Sequence, residues 1–317
     1  MPTPAAKSLD TASPDIVCIG EPLFELNQAK GDVVFRPGHG GDTSNCAIAA
    51  ARQGASVGYV TAVGTDNFGQ SFLDLWKQEG VDVSAVKLDG TAPTGIYFVT
   101  HGPQGHVFSY RRAGSAASRM TPEELPTDYI RGARVVHTSG ISQAISSQAA
   151  DFVFAALHAA KTAGKLVSYD TNLRLRLWPI DRARAVIHAA AAMADILKTS
   201  SDDAQELTGE SDPDAIADFY LGLGPKVVIV TMGPDGALVA TPEKRMMIPA
   251  IPVKPVDATG AGDTFDGAFL TEYLRSNDPF AAARYANAAA GLATEGYGAV
   301  APMPTRSAVE AALAGRR

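Results

Sequence analysis

Short runs of β-branched residues alternate with alanine-rich helical patterns from one end of the chain to the other, and this alternation constrains the fold more than any other feature. Strand-like runs fall at 16–19, 56–60, 135–138, 166–169, 196–198, 227–231 and 237–240. Between them the apolar residues recur at helical spacing over 43–53, 68–79, 147–163, 183–193, 202–207 and 214–221. A strand that feeds a helix and then another strand predicts a mostly parallel sheet, covered by helices on both faces. With 317 residues, 46% of them hydrophobic, the chain is long enough to bury one large α/β core. No repeat or low-complexity segment interrupts the pattern.

Two stretches depart from it. Residues 21–36 and 94–112 read as β-ribbon, the second folding around Gly-Pro-Gln-Gly at 102–105. They predict a small sheet that projects from the main domain as an insertion, suited to act as a lid or, through its edge, as a homodimer contact. Residues 1–14 are polar and proline-rich without an apolar stretch, and are expected to be a disordered tail ahead of a single large domain at 15–317.

Composition removes several function classes. A net charge of −7 argues against nucleic acid or an anionic membrane as a partner. The longest apolar stretches are too short to span a bilayer. Cys18 and Cys46 form neither a disulfide framework nor a metal set, and read as small buried hydrophobes in a reducing, cytoplasmic setting. P-loop, dinucleotide and nucleophile-elbow signatures are absent, as is any His or Cys pair at metal spacing. The six histidines read as surface or core residues.

The chemistry concentrates in two glycine-rich segments. Residues 256–267 (VDATGAGDTFDG) lie where a strand exit hands over to a helix marked by Phe265, Ala268, Phe269, Tyr273 and Leu274. A helix N-terminus with free N–H groups attracts an anion, and Gly260 and Gly262 let a phosphate approach the main chain. Asp263 is then ambiguous: aspartate is a favoured N-cap, and it is also a general base. Residues 37–45 (PGHGGDTSN) start another helix; Asp42 or Thr43 could cap it, or Asp42 and Asn45 could hydrogen-bond a polyol.

Taken together, residues 40–70 and 257–269 resemble the two signatures of the ribokinase-like (PfkB) sugar kinases. The resemblance implies a three-layer α/β/α domain with a small β-sheet lid, and ATP-dependent phosphorylation of a sugar hydroxyl. It implies Asp263 as catalytic base and Gly260, Ala261 and Gly262 as the anion hole. Thr231, Gly233 and Gly236 match the T-x-G-x-x-G turn beside the ATP phosphates, and Asn287 matches a helix position bordering adenine. Ser200 and Asp203 stand where the family carries N-x-x-E, so Asp203 would contact Mg²⁺ through water on a shorter arm. A K⁺ site beside the anion hole is common in the family. Ala258 departs from the threonine of many members.

For the sugar, residues 110–116 resemble the Y-x-R-x-G-S-A run of 2-keto-3-deoxygluconate kinases. Residues 170–178 resemble the D-x-N-x-R-x-x-L-W segment that those enzymes share with fructokinases. The resemblance implies an acid sugar held by Gly40, Gly41, Asp42, Asn45, Tyr97 and Tyr110, with its carboxylate on Arg112 and Arg174. A fructokinase or another neutral-sugar kinase is the alternative, and a non-catalytic sugar-binding protein a more distant one. At 298–301, where some members carry an acidic residue, this chain has Gly-Ala-Val-Ala.

Overall fold

The computed structural model describes residues 13–28, 33–102 and 105–315. Most of the tail and the Pro103–Gln104 tip of the second ribbon therefore lie outside the described residues.

The main sheet has ten strands in the order β14-β13-β12-β11-β10-β9-β1-β4-β5, with β6 beside β4. From the edge inward these are β14 (Arg245–Ile248), β13 (Ala237–Ala240), β12 (Val227–Thr231), β11 (Ile196–Ser200), β10 (Leu166–Asp170), β9 (Val135–Ser139) and β1 (Ile16–Ile19). Beyond β1 follow β4 (Val57–Gly64), β5 (Val81–Asp82) and β6 (Val86–Asp89). From β12 to β6 every pairing is parallel, and β13 and β14 add an antiparallel edge. The short strands β5, β6 and β14 were not legible as strands, being too brief to show a period.

Strand residues alternate between two cores. Ile16, Cys18, Val135, Ile196, Val227 and Ile229 pack with α1 (Asp42–Arg52), α2 (Asn67–Gln78), α9 (Ala261–Ser276), α10 (Pro279–Ala293) and α11 (Arg306–Ala314). Val17, Ile19, Val136, Leu197, Val228 and Val230 face the opposite layer. That layer holds α3 (Thr127–Gly132), α4 (Gly140–Ala144), α5 (Ser147–Thr162), α6 (Ile180–Ala191), α7 (Ser201–Thr208) and α8 (Pro213–Leu223). Both faces bury apolar side chains, which is why the strands read as continuous hydrophobic runs instead of alternating ones. Cys18 and Cys46 are fully buried, their sulfurs 3.9 Å apart.

The second sheet has the order β3-β2-β7-β8, from β2 (Leu23–Gln28), β3 (Phe35–Gly40), β7 (Gly95–Gly102) and β8 (Gly105–Arg111). The expectation placed ribbon at 21–36 and a loop at 37–45, but β3 runs on to Gly40, pairing Leu23 with Gly40 and Glu25 with Gly38. A Cβ on Gly38 would meet Glu25 Oε1 at 3.0 Å, and one on Gly40 would press on Tyr97 Oη at 2.8 Å, so a larger residue at either would displace those side chains. The main strands progress outward on either side of the β1–β9 pair. Ligands of such sheets bind at the carboxyl ends of the strands, at the point of reversal. The residues considered next lie at those ends.

Candidate active site

The helix that follows the 256–267 segment begins at Gly260, not at Asp263. Gly260 is the N-cap residue, with φ 76°, and no side chain caps this end. A Cβ at Gly260 would lie 2.9 Å from Ala299 O, so the left-handed turn and the 298–301 loop both demand glycine. A Cβ at Gly262 would meet only Lys198 Nζ, at 3.5 Å. An uncapped N-terminus of this kind offers its first-turn N–H groups to an anion.

Asp263 is thus released from capping and turns to α1, where Asn45 Nδ2 donates to its Oδ2 at 2.8 Å. The approach of α9 to α1 makes this possible. A Cβ on Gly267, one turn after Asp263, would sit 2.5 Å from Cys46 O and 2.7 Å from Ala49 Cβ. Asn45 and Ala49 share one face of α1, as Asp263 and Gly267 share one face of α9. Burial, reinforced by the nearby Asp42 charge, pushes the Asp263 carboxyl up to about 7, against the pull of Asn45 and Lys198. A carboxylate of that basicity suits a general base at neutral pH.

The second glycine segment behaves similarly. α1 is capped by Gly41, at φ 105°, where a Cβ would meet Glu21 O at 2.4 Å. Asp42, expected as a possible cap, is instead the first helical residue, and its Oδ2 accepts from Asn172 Nδ2 at 3.0 Å. Asn172 is held in the left-handed region at φ 32°. Asp42 Oδ1 and Asn45 Oδ1 are buried without a hydrogen-bond partner, two acceptors suited to sugar hydroxyls. Burial raises the Asp42 carboxyl above its ordinary value.

From the lid come Tyr97 and Tyr110, cross-strand partners whose rings stack at 5.9 Å. Tyr97 is buried and donates to Glu25, whereas Tyr110 is 38% exposed. Arg112 was expected as a free partner for a substrate carboxylate. Its guanidinium is already paired with Glu21, Nε lying 2.7 Å from Oε2, while Ser115 Oγ donates to Oε1 at 2.5 Å. Arg174 is exposed, its Nη1 donating to Leu173 O at 2.7 Å.

On the side expected to take the nucleotide, Gly233 and Gly236 frame a tight turn between β12 and β13. A Cβ on Gly236 would strike Ile248 O at 2.1 Å. Thr231 Oγ1 donates to Thr199 O at 3.3 Å. Ser200 caps α7 by accepting from Asp203 N at 3.1 Å. Asp203 Oδ2 accepts from Leu173 N at 2.9 Å, and burial raises its carboxyl above the ordinary value. The Asn287 amide donates to Ile248 O and Pro249 O, tying α10 to the end of β14, so its donors are not free for adenine. Among the described residues no group of three or more His, Cys, Asp or Glu side chains could hold a metal ion.

The residues of 13–306 match the model of the pfkB family carbohydrate kinases. The chain belongs to that family. Its relatives include the 2-dehydro-3-deoxygluconokinase of Thermoproteus tenax, 36% identical over 87% of both chains. Probable fructokinase-7 of Arabidopsis thaliana is 33% identical over 95% of this chain and 93% of its own. Among solved structures, fructokinase with bound ATP from Xylella fastidiosa superposes with a TM-score of 0.88 at 26% identity, covering 95% of this chain and 98% of that one. The protein is therefore a sugar kinase with a ribokinase-like α/β fold.

Several residues that complete the site of this kinase escaped the sequence reading. Glu21 lies two residues past β1, and Asp170 and Asn172 lie within a segment from which only Arg174 was selected. Lys198 and Asp266 pair with each other across 3.2 Å. A lysine in the middle of a buried strand (ILKTS, 196–200) is a signal that could have found the first of these. No helix among the described residues is long and apolar enough to cross a membrane.

Proposed function

We propose that this kinase transfers the γ-phosphoryl group of ATP to the terminal hydroxyl of 2-keto-3-deoxygluconate. The observation that carries phosphoryl transfer is the pairing of an uncapped helix N-terminus with a buried carboxylate of raised basicity, Asp263, on its first turn. In the reaction the sugar oxygen forms a bond to the γ-phosphorus as its proton passes to Asp263, and the bond to the β-phosphate oxygen breaks, its electron pair leaving with ADP. The N–H groups around Gly262 stabilise charge on the transferring group. Asp42 and Asn45, with their unpartnered oxygens, orient the sugar. Mg²⁺ would neutralise phosphate charge, held chiefly by phosphates and water with Asp203 as a protein contact, which suits an ion that retains most of its waters.

The choice of an acid sugar is supported by two arginines near the expected sugar contacts, Arg112 on Glu21 and Arg174 acting on Asp42, and by the likeness to the Thermoproteus tenax enzyme. The close pairing of Arg112 with Glu21 and the similarity to fructokinases favour keeping a neutral hexose as the second reading. A coupled ATP-consumption assay with 2-keto-3-deoxygluconate, fructose, ribose and adenosine tests both. Preferred turnover of the acid sugar is expected; preferred turnover of fructose would replace it with the second reading.

A further inference from the structure

Beneath the first turn of α9 lies a buried cation outside both glycine-rich signatures. Lys198 occupies the middle of β11, and almost none of it is accessible. Its ammonium is 2.9 Å from Asp170 Oδ2 at the end of β10 and 3.2 Å from Asp266 Oδ2 on α9. A Cβ placed on Gly262 would also meet this nitrogen, at 3.5 Å. β10 and the first turns of α9 thus converge on the ammonium that β11 presents beside the expected anion hole.

An ion pair buried only for stability is weakly motivated, because desolvation offsets most of its attraction and an apolar pair of similar volume does as well. The position of Lys198 is more telling than the pairing. Burial works against its charge, yet Asp170 and Asp266 outweigh burial and hold the amine well above its ordinary value, so it remains an ammonium at any working pH. The charged and titratable groups around Asp263 are Asp42 and Cys46 from α1, Asp170 from β10, Lys198 from β11, Tyr97 from β7 and Asp266 on α9 itself. Within this set Lys198 is the cation.

We propose that Lys198 is a positioning residue for phosphoryl transfer: a fixed ammonium, held by Asp170 and Asp266 beside Gly262, that supports the Asp263 carboxylate as proton acceptor and offsets the charge arriving at the helix N-terminus. The proposal rests on the reading of Asp263 as the base. Without the ammonium, Asp263 would face Asp42 and Asp170 with Asn45 alone supporting its anion. Its proton affinity would rise and the base-competent fraction would fall.

The test is the pH dependence of kcat/KM for the wild type, Lys198→Met, Lys198→Arg and Asp170→Asn. The acid limb of the Met variant is expected to move up by about one pH unit, a tenfold extra loss on the acid side relative to the alkaline side. Lys198→Arg retains the charge and should leave the limb near its wild-type position. Asp170→Asn removes a negative neighbour of Asp263, and its limb should move the other way. A uniform loss at every pH in Lys198→Met, with an unmoved limb in Asp170→Asn, would overturn the proposal and leave Lys198 a structural residue. If Lys198→Met does not fold, an unmoved limb in Asp170→Asn overturns it alone. Asp263→Asn serves as the control: wild-type turnover there removes the base itself, whereas an inactive control with unmoved limbs removes only Lys198.

Discussion

At the floor of the cleft, Asn45 reaches Asp263 across 218 positions of sequence, and Lys198, Asp170 and Asp266 are almost inaccessible to water. In the lid, the pair Tyr97 and Tyr110 comes from one hairpin, and Tyr110 leaves 38% of its surface exposed. The floor is held by close helix packing at Gly267 and by the buried charges around Lys198. The lid packs on α2 through Phe24 against Phe68 and His39 against Phe72 and Ser71, and at its inner end Glu21 takes Arg112 and Ser115. Under the proposed function, the base and anion site belong to the main domain, whereas the lid contributes Tyr97, Tyr110 and Arg112 toward the sugar.

The largest effect that can break this comparison is on the floor. Asp263→Asn should lower kcat by a factor of about 10²–10⁴ with ATP affinity little changed, measured by steady-state kinetics and nucleotide titration. In the wild type, kcat/KM should fall as pH drops below about 7, because protonation of Asp263 removes the base. A profile flat down to pH 5 would contradict that assignment.

Next in size is the joint between lid and floor. Arg112→Ala leaves the buried Glu21 without its cation, with only Ser115 still donating to it, and should cost about 3–5 kcal/mol of stability in denaturant unfolding. Adding Glu21→Gln should recover much of it. If Arg112→Ala is as stable as the wild type, the joint is weaker than its geometry suggests.

Smaller again is Gly267→Ala, which forces a methyl group against Cys46 O and Ala49. A destabilisation of about 1–3 kcal/mol is expected, with turnover falling as Asn45 and Asp263 separate. The smallest effect belongs to Arg174, which is exposed. Arg174→Ala should leave stability within about 0.5 kcal/mol and raise KM for an acid sugar roughly tenfold, about 1.4 kcal/mol. An equal rise for fructose would show that Arg174 does not read a carboxylate.

The parallel sheet, its two helical layers and the small second sheet were legible because each follows from local periodicity. Helix starts were less so. Asp263 and Asp42 could each be read as a cap or as a functional group, and the cap positions belong to Gly260 and Gly41, whose backbones pass too close to Ala299 and Glu21 for any Cβ. Glu21, Lys198 and Asp266 were missed because nothing adjacent to them in sequence announces a partner. Arg112 was singled out as the lid's partner for a substrate carboxylate, whereas its partner in the structure, Glu21, belongs to the chain itself.

By itself, the sequence determined the layered α/β architecture, the placement of an anion-friendly helix N-terminus at Gly260–Gly262 and the family to which the chain belongs. These depend on spacing along a short stretch of chain, which the order of residues records directly. Only the tertiary structure decided that Asp263 meets Asn45, that Lys198 lies under Gly262 and that Arg112 is paired with Glu21. Each of those contacts joins elements far apart in the chain, and the fold alone brings their charges within reach of one another.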